Sequence, residues 1–175
     1  VTTVAGSGVA GSTNATGASA QFNTPQGVAI SGGNTFVADR LNHRIRMITG
    51  AGVVSTFAGS TAGFVNASGA AARFDHPAGV AADGAGNIYV ADEFNHVIRR
   101  ITSGGVVTTF AGSGLAGFAD GAAGAARFLF PAGLAVLGGY LYVADSGNHR
   151  IRKIVIATGA VTTVAGTGIA GTTDT

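Results

Sequence analysis

The stretch that decides the fold is GVAADGAGNIYVADEFNHVIRRIT at residues 79–102. It recurs upstream as GVAISGGNTFVADRLNHRIRMIT at 27–49 and downstream as GLAVLGGYLYVADSGNHRIRKIV at 133–155. The aspartates that close the Val-Ala-Asp of each copy are Asp39, Asp92 and Asp145, spaced 53 and 53. Further out, VTTVA at Val1 returns at Val54, Val107 and Val161 with its alanines at Ala5, Ala58, Ala111 and Ala165, steps of 53, 53 and 54. A third marker, Phe-x-x-Pro, stands at Phe22/Pro25, Phe74/Pro77 and Phe128/Pro131. Three markers with one period make the chain a tandem array of three units with a partial fourth.

Within a unit, four short runs rich in Val, Ile, Tyr, Phe and Thr suit pleated strands, and Gly-rich turns such as Ser31–Asn34 and Asp83–Asn87 separate them. Connections that short imply an antiparallel meander. Four strands per unit in tandem is the pattern of propeller blades. The reading is all-β: a β-propeller segment of three four-stranded blades plus an extra N-terminal outer strand. The blades span 25–58, 77–111 and 131–165. The outer strand and a connector occupy 1–24, further connectors fill 59–76 and 112–130, and a last one starts at 166–175. Ala favours, and Gly limits, one short helical turn in ASGAAARF (67–74) and in GAAGAARF (121–128), before the repeated Phe, which the pattern predicts as an anchor beneath the connector.

Composition bounds the rest. The chain has 175 residues, 46% hydrophobic, only 10% charged, with a net charge of +2. That excludes a disordered chain. There is no Cys, so disulfide frameworks, thiolate zinc sites and a cysteine nucleophile are excluded. No apolar run approaches the ~18 residues of a membrane helix. Opening on Val1, the chain reads as processed, excised or partial, with any targeting segment already gone.

The motif Val-Ala-Asp followed by Asn-His-Arg-Ile-Arg is complete at Asn42–Arg46 and Asn148–Arg152, and has Val97 in place of Arg at Asn95–Arg99. With the strings around it, this resembles the NHL repeat over nearly the whole chain. The resemblance implies six-bladed propellers, so that three blades are half of a ring or part of a larger array. It also implies a binding platform, with a minority of family members being lyases or other enzymes, and some binding RNA on a basic face.

The repeated residues read as structural. Asp39, Asp92 and Asp145 keep step with Arg46, Arg99 and Arg152, seven residues later. Across a hairpin such a pair can cap the turn and satisfy a guanidinium. His43, His96 and His149 hold one turn position on successive blades, where the spread around a ring keeps them from converging on a metal. His76, in Asp75-His76-Pro77, has Thr24 and Phe130 as its counterparts and is placed as a binding residue at the channel mouth. Asn14 and Asn66 stand in N-glycosylation sequons within the exposed connectors. Gly-x-Gly-x-x-Gly at Gly6, Gly112 and Gly166 lacks the helix and acidic residue that a dinucleotide needs, and reads as turns. The inner runs GVAI, GVAA and GLAV carry no ionisable side chain. No catalytic residue, metal ligand or cofactor is assigned.

Four strands at ~4.8 Å and about five residues at ~3.4 Å give each open blade face roughly 330 Å². If half is apolar, covering it contributes about 4 kcal/mol. The expectation is a non-enzymatic scaffold for protein–protein interaction and self-assembly, extracellular or exported. Its partner is itself, as a homo-oligomer or through neighbouring repeats of a longer chain. A protein or glycan ligand is compatible with it. The alternatives are a propeller lyase with its metal site in blades outside this chain, and an RNA-binding platform. The scarcity of aromatics (7%) weighs against nucleic acid.

Overall fold

A computed structural model describes residues 1–171. Twelve strands form three separate four-stranded antiparallel sheets. The first contains β1 (Pro25–Ser31), β2 (Asn34–Asp39), β3 (Arg44–Ile48) and β4 (Val54–Gly59). The second contains β5 (Pro77–Ala82), β6 (Ile88–Asp92), β7 (Val97–Ile101) and β8 (Val107–Ala111). The third contains β9 (Pro131–Leu137), β10 (Tyr140–Asp145), β11 (Arg150–Val155) and β12 (Val161–Ala165). Strand order within each sheet follows the chain, as a meander does. No helix among the described residues is long and apolar enough to cross a membrane.

The innermost strands β1, β5 and β9 lie side by side across the blades. They approach so closely that a Cβ on Gly27 would stand 2.5 Å from Ala78 O and one on Gly79 would strike Ala132 O, which explains the glycine after Pro-x in the first two blades. A bulge recurs between the third and fourth strands: Ile45 faces Ala58 while Arg46 faces Thr56, leaving Phe57 unpaired. Ile98/Arg99 and Ile151/Arg152 repeat it. The bulge kinks the outer strand where the connector leaves the blade.

Packing runs between blades. Ala38, Ile45 and Ala58 of the first blade enclose Ala72 and Phe74 of the next connector. Ala91, Ile98 and Ala111 enclose Ala126 and Phe128 in the same way. Each connector therefore presses its apolar side into the preceding blade. The middle blade, covered on both flanks, has its whole second strand buried, which is why strict alternation is missing there. The outer blades alternate more: Val28 is exposed where its counterpart Val80 is buried, and Ile30 is exposed where Ala82 is half-buried.

One expectation is corrected. Residues 1–5 form no strand. An outer strand pairs only with the third strand of its own blade, and none lies beside it here. The segment instead turns over the first connector, with Gly6 N donating to Gly17 O (3.1 Å) and Ser7 N to Ala20 O (2.8 Å). Ala5 tucks against Ala20, Phe22 and Val37, and Val1 and Val4 stay exposed. Of the two helical turns expected, the one in 67–74 is a 3-10 turn at Gly69–Ala71, while 121–128 makes only a hydrogen-bonded turn, with Ala125 N and Ala126 N both donating to Ala122 O; a further 3-10 turn stands at Gly17–Ser19 in the first connector.

Candidate functional site

Each blade is organised around one fully buried arginine. Asp39 and Arg46 lie diagonally across the β2–β3 hairpin, since Val37 is paired with Arg46 and Asp39 with Arg44. Arg46 Nη1 donates to Asp39 Oδ2 at 2.7 Å, Arg99 Nη1 to Asp92 Oδ2 at 2.7 Å, and Arg152 Nη1 to Asp145 Oδ2 at 2.6 Å. All six side chains have no exposed surface. The remaining Nη hydrogens bind the connector that enters the blade. Arg99 reaches Arg73 O (3.0 Å), Val65 O (2.9 Å) and Asn66 Oδ1 (2.7 Å). Arg46 does the same with Gln21 O, Thr13 O and Asn14 Oδ1, and Arg152 with Arg127 O, Ala119 O and Asp120 Oδ1. Phe22, Phe74 and Phe128 lie 5.1 Å from their arginines, close enough for cation–π attraction.

The aspartate completes the joint. Its second oxygen accepts the backbone N–H two residues before the proline: Asn23 and Asp75 at 2.7 Å, Leu129 at 2.8 Å. Burial pushes the Asp92 carboxyl up to about 6, and its bonds to Asp75 N–H, Asn95 and Arg99 pull it the other way. Burial likewise lowers the Arg99 pKa, against the pull of Asp92. Asn42 and Asn148 donate to the same aspartates (2.8 Å each), and Asn42, Asn95 and Asn148 donate to connector carbonyls at Gly11, Gly63 and Gly117.

The histidines close the seam to the following blade. His43, His96 and His149 all adopt left-handed backbone at the end of a 3-10 turn (φ 54°, 55° and 52°). His43 Nδ1 accepts from His76 N at 3.2 Å, and His96 Nδ1 from Phe130 N at 3.3 Å. Burial holds both imidazoles below their ordinary pKa; His76 and Arg40 add to this at His43 against the pull of Asp75, while Asp145 opposes it at His96. His149, on the open flank, is exposed. A second bond, Arg40 to Glu93 (2.8 Å), ties the same position of blades one and two.

Four details escaped the sequence reading. Asn14 and Asn66, picked out as sequons, are exposed but cap buried arginines, with Asp120 as their third counterpart. His43 was compared with His96 and His149 alone, whereas its neighbours are Asp75 and His76 of the next unit. His76, placed at the channel mouth, sits at the entry of inner strand β5, packed between His43 and Phe94. Finally, Arg46, Arg99 and Arg152 are buried in the hubs and so add nothing to the basic face that an RNA-binding platform needs.

The joint explains the Asn-His-x-Ile-Arg motif residue by residue. Asn holds the entering connector, His the next blade, Ile the apolar socket and Arg the hub. The NHL repeat profile matches residues 74–100 and 128–154, the spans that carry two of these joints. The chain carries NHL repeats. Over 88 residues it is 43% identical to Protein SUPPRESSOR OF QUENCHING 1, chloroplastic, of Arabidopsis thaliana, covering 49% of this chain and 8% of that protein. Human NHL repeat-containing protein 2 is 38% identical over 85 residues, 49% of this chain and 12% of the relative. The chain thus spans about a tenth of the curated relatives it matches. Among solved structures, a Bacteroides thetaiotaomicron VPI-5482 protein of unknown function aligns with a TM-score of 0.65 at 28% identity, over 74% of this chain and 32% of that one. A Xanthomonas campestris gluconolactonase shares the fold (TM-score 0.62, 83% of this chain, 48% of that one), but at 13% identity the likeness extends to the fold alone. Its neighbours make this NHL chain part of a β-propeller.

Proposed function

We propose that this NHL array is a non-enzymatic scaffold that binds protein, and that its first partner is a second copy of itself. The observation that carries the reading is the open flank of the third blade. There Ile151 is 41% exposed, while its counterparts Ile45 and Ile98 are wholly buried. Ala144, Ile151 and Ala165 repeat the socket that receives Ala72/Phe74 and Ala126/Phe128 at the two internal seams. At the other end Phe22 repeats the plug and lies half-covered, and Val28 and Ile30 of the first inner strand are exposed. Plug and socket match, so copies fit head to tail. Two arcs of three blades would give six. Two such seams would bury roughly 1,300 Å² from the strands alone, within the range of stable interfaces (about 1,200–2,000 Å²). Residues 1–5 pair with no strand, and the edge of β11 is taken by β12 of the same blade, so a docking copy brings no N-terminal strand to compete for it.

The ionisable residues support a non-enzymatic reading. Strands β1, β5 and β9, which line the would-be channel, contribute no acid, base or nucleophile stronger than Ser31. The test is the mass of the particle in solution, by light scattering. The expected result is a dimer or larger species that Ile151→Asp dissolves into monomer with its circular dichroism intact. A compact monomer at about 50 μM overturns the reading.

A further inference from the structure

We propose a binding site for a divalent transition-metal ion of the zinc class at the seam of the first two blades, formed by His43, Asp75 and His76. Their donor atoms lie within 4.8 Å of one another, the one such group among the described residues. Asp75 Oδ1 is 2.7 Å from His76 Nδ1 and 3.6 Å from His43 Nδ1. Ligands about 2.0–2.1 Å from a tetrahedral ion are themselves roughly 3.3 Å apart, so small rotations bring the set to coordination distance. Two imidazoles and one carboxylate suit Zn²⁺, Co²⁺ or Ni²⁺ better than Ca²⁺ or Mg²⁺, which prefer all-oxygen shells.

The backbone already holds these residues. Asp75 is fixed at both ends of its peptide, N–H to Asp92 Oδ1 (2.7 Å) and carbonyl to Phe94 N (3.1 Å). His76 is held in left-handed backbone (φ 54°), its ring against Phe94 at 4.3 Å and edge-on to His43 at 4.8 Å. The one cation near the group, Arg40, is bound to Glu93 by two bonds (3.0 and 2.8 Å), which offsets its repulsion of a second cation. Coordination exchanges the His76–Asp75 bond, and the long bond from His76 N to His43 Nδ1, for bonds to the ion.

The second seam is a built-in control. His96 makes the same bond to the next backbone N–H, but the two neighbours there are Leu129 and Phe130. Closing a seam therefore needs only the histidine. The carboxylate and imidazole of the first seam are replaced by Leu129 and Phe130 in the second, so closing a seam does not require them. An ion held by His43 on one blade and by Asp75-His76 at the root of the next would clamp them together, with one coordination position left to water. This site is independent of self-assembly, since every ligand belongs to one chain.

The test uses the whole chain, stripped of metal and free of any polyhistidine tag, titrated with Co²⁺ alone by visible absorption and with Zn²⁺ alone by calorimetry. The comparison is the double substitution Asp75→Leu/His76→Phe, which writes the second seam into the first and so keeps a packing the protein already uses. One ion per chain is expected, with d–d bands typical of nitrogen and oxygen ligation. Zn²⁺ should raise the unfolding temperature of the parent only, and affinity should fall by at least about tenfold in the double variant. No saturable binding by the parent, or equal binding by the variant, overturns the proposal.

Discussion

Arg152 Nε donates to Asp120 Oδ1 at 3.2 Å, whereas the corresponding nitrogens of Arg46 and Arg99 are buried without an acceptor. The three hubs are otherwise alike, so the difference traces to one residue type: Asp120 stands where Asn14 and Asn66 stand in the first two units. One carboxylate oxygen, Asp120 Oδ1, accepts from both Nε and Nη2 of Arg152, while the other, Oδ2, accepts from Thr163 N (3.1 Å), a bond that the N–H₂ of an asparagine in its place could not accept.

Asn66→Asp should therefore stabilise the middle blade, by about 0.5–1 kcal/mol once solvent screening at an exposed site is allowed for. Urea denaturation of the single variant measures it, and Asp120→Asn should lose a similar amount. The hydrogen bonds from Arg152 and Thr163 hold the Asp120 carboxyl below its ordinary pKa, outweighing burial. Its contribution is thus present above pH ~4 and lost as pH falls through the depressed folded value.

Asp92→Ala leaves the wholly buried Arg99 without its counter-charge and frees Asp75 N–H. Breaking a buried pair from one side costs about 3–5 kcal/mol, well beyond the ~1 kcal/mol of an exposed pair. A chemical denaturation midpoint unchanged by this substitution would remove the hub from the account of stability.

Both seam histidines must be neutral at Nδ1 to accept a backbone hydrogen, in keeping with their lowered pKa values. A histidine with a depressed folded pKa contributes stability that is complete above its unfolded value of 6.5 and declines as pH falls through 6.5 toward the folded value. Between pH 7.5 and 5 this loss runs against the gain from protonating Asp92, whose carboxyl is pushed up to about 6, so the histidine contribution is read as the difference in thermal midpoint between parent and variant. His96→Gln should remove part of that loss, because a glutamine does not titrate.

Phe128→Ala removes a wholly buried plug and should cost about 3–5 kcal/mol. Phe22→Ala should cost the isolated chain less, since its ring is half-covered, yet abolish the larger particle. Comparing the two by calorimetry and light scattering separates internal from external seams.

Gly59→Ala should cost more than the ~1 kcal/mol of an ordinary backbone change. Its φ is +94°, and an added Cβ would meet His43 O at 2.5 Å. A melting curve of the variant is sufficient.

The strand order and the Asp–Arg hubs are legible in the sequence because each recurs at a fixed spacing and is made within one hairpin. The capping position is less so: Asn14, Asn66 and Asp120 are separated by 52 and 54 residues, and the last changes type. The His43–His76 meeting is invisible to a comparison of like positions, because a seam joins unlike positions of consecutive units, 33 residues apart. The strand expected at residues 1–5 has β propensity, but propensity alone does not make a strand without a neighbour to pair with.

Each connector is hydrogen-bonded to the blade it enters and packed into the blade it leaves. The cooperative module is therefore offset from the sheet: it starts with a connector and ends with an outer strand and the glycine that closes it, from Ser7 to Gly59 or from Ser60 to Gly112. Shuffling, duplicating or grafting these units at the sheet boundaries would strand a guanidinium in the interior. Splices placed at the repeated glycines would carry each arginine's acceptors along with it, and that is where the chain invites lengthening.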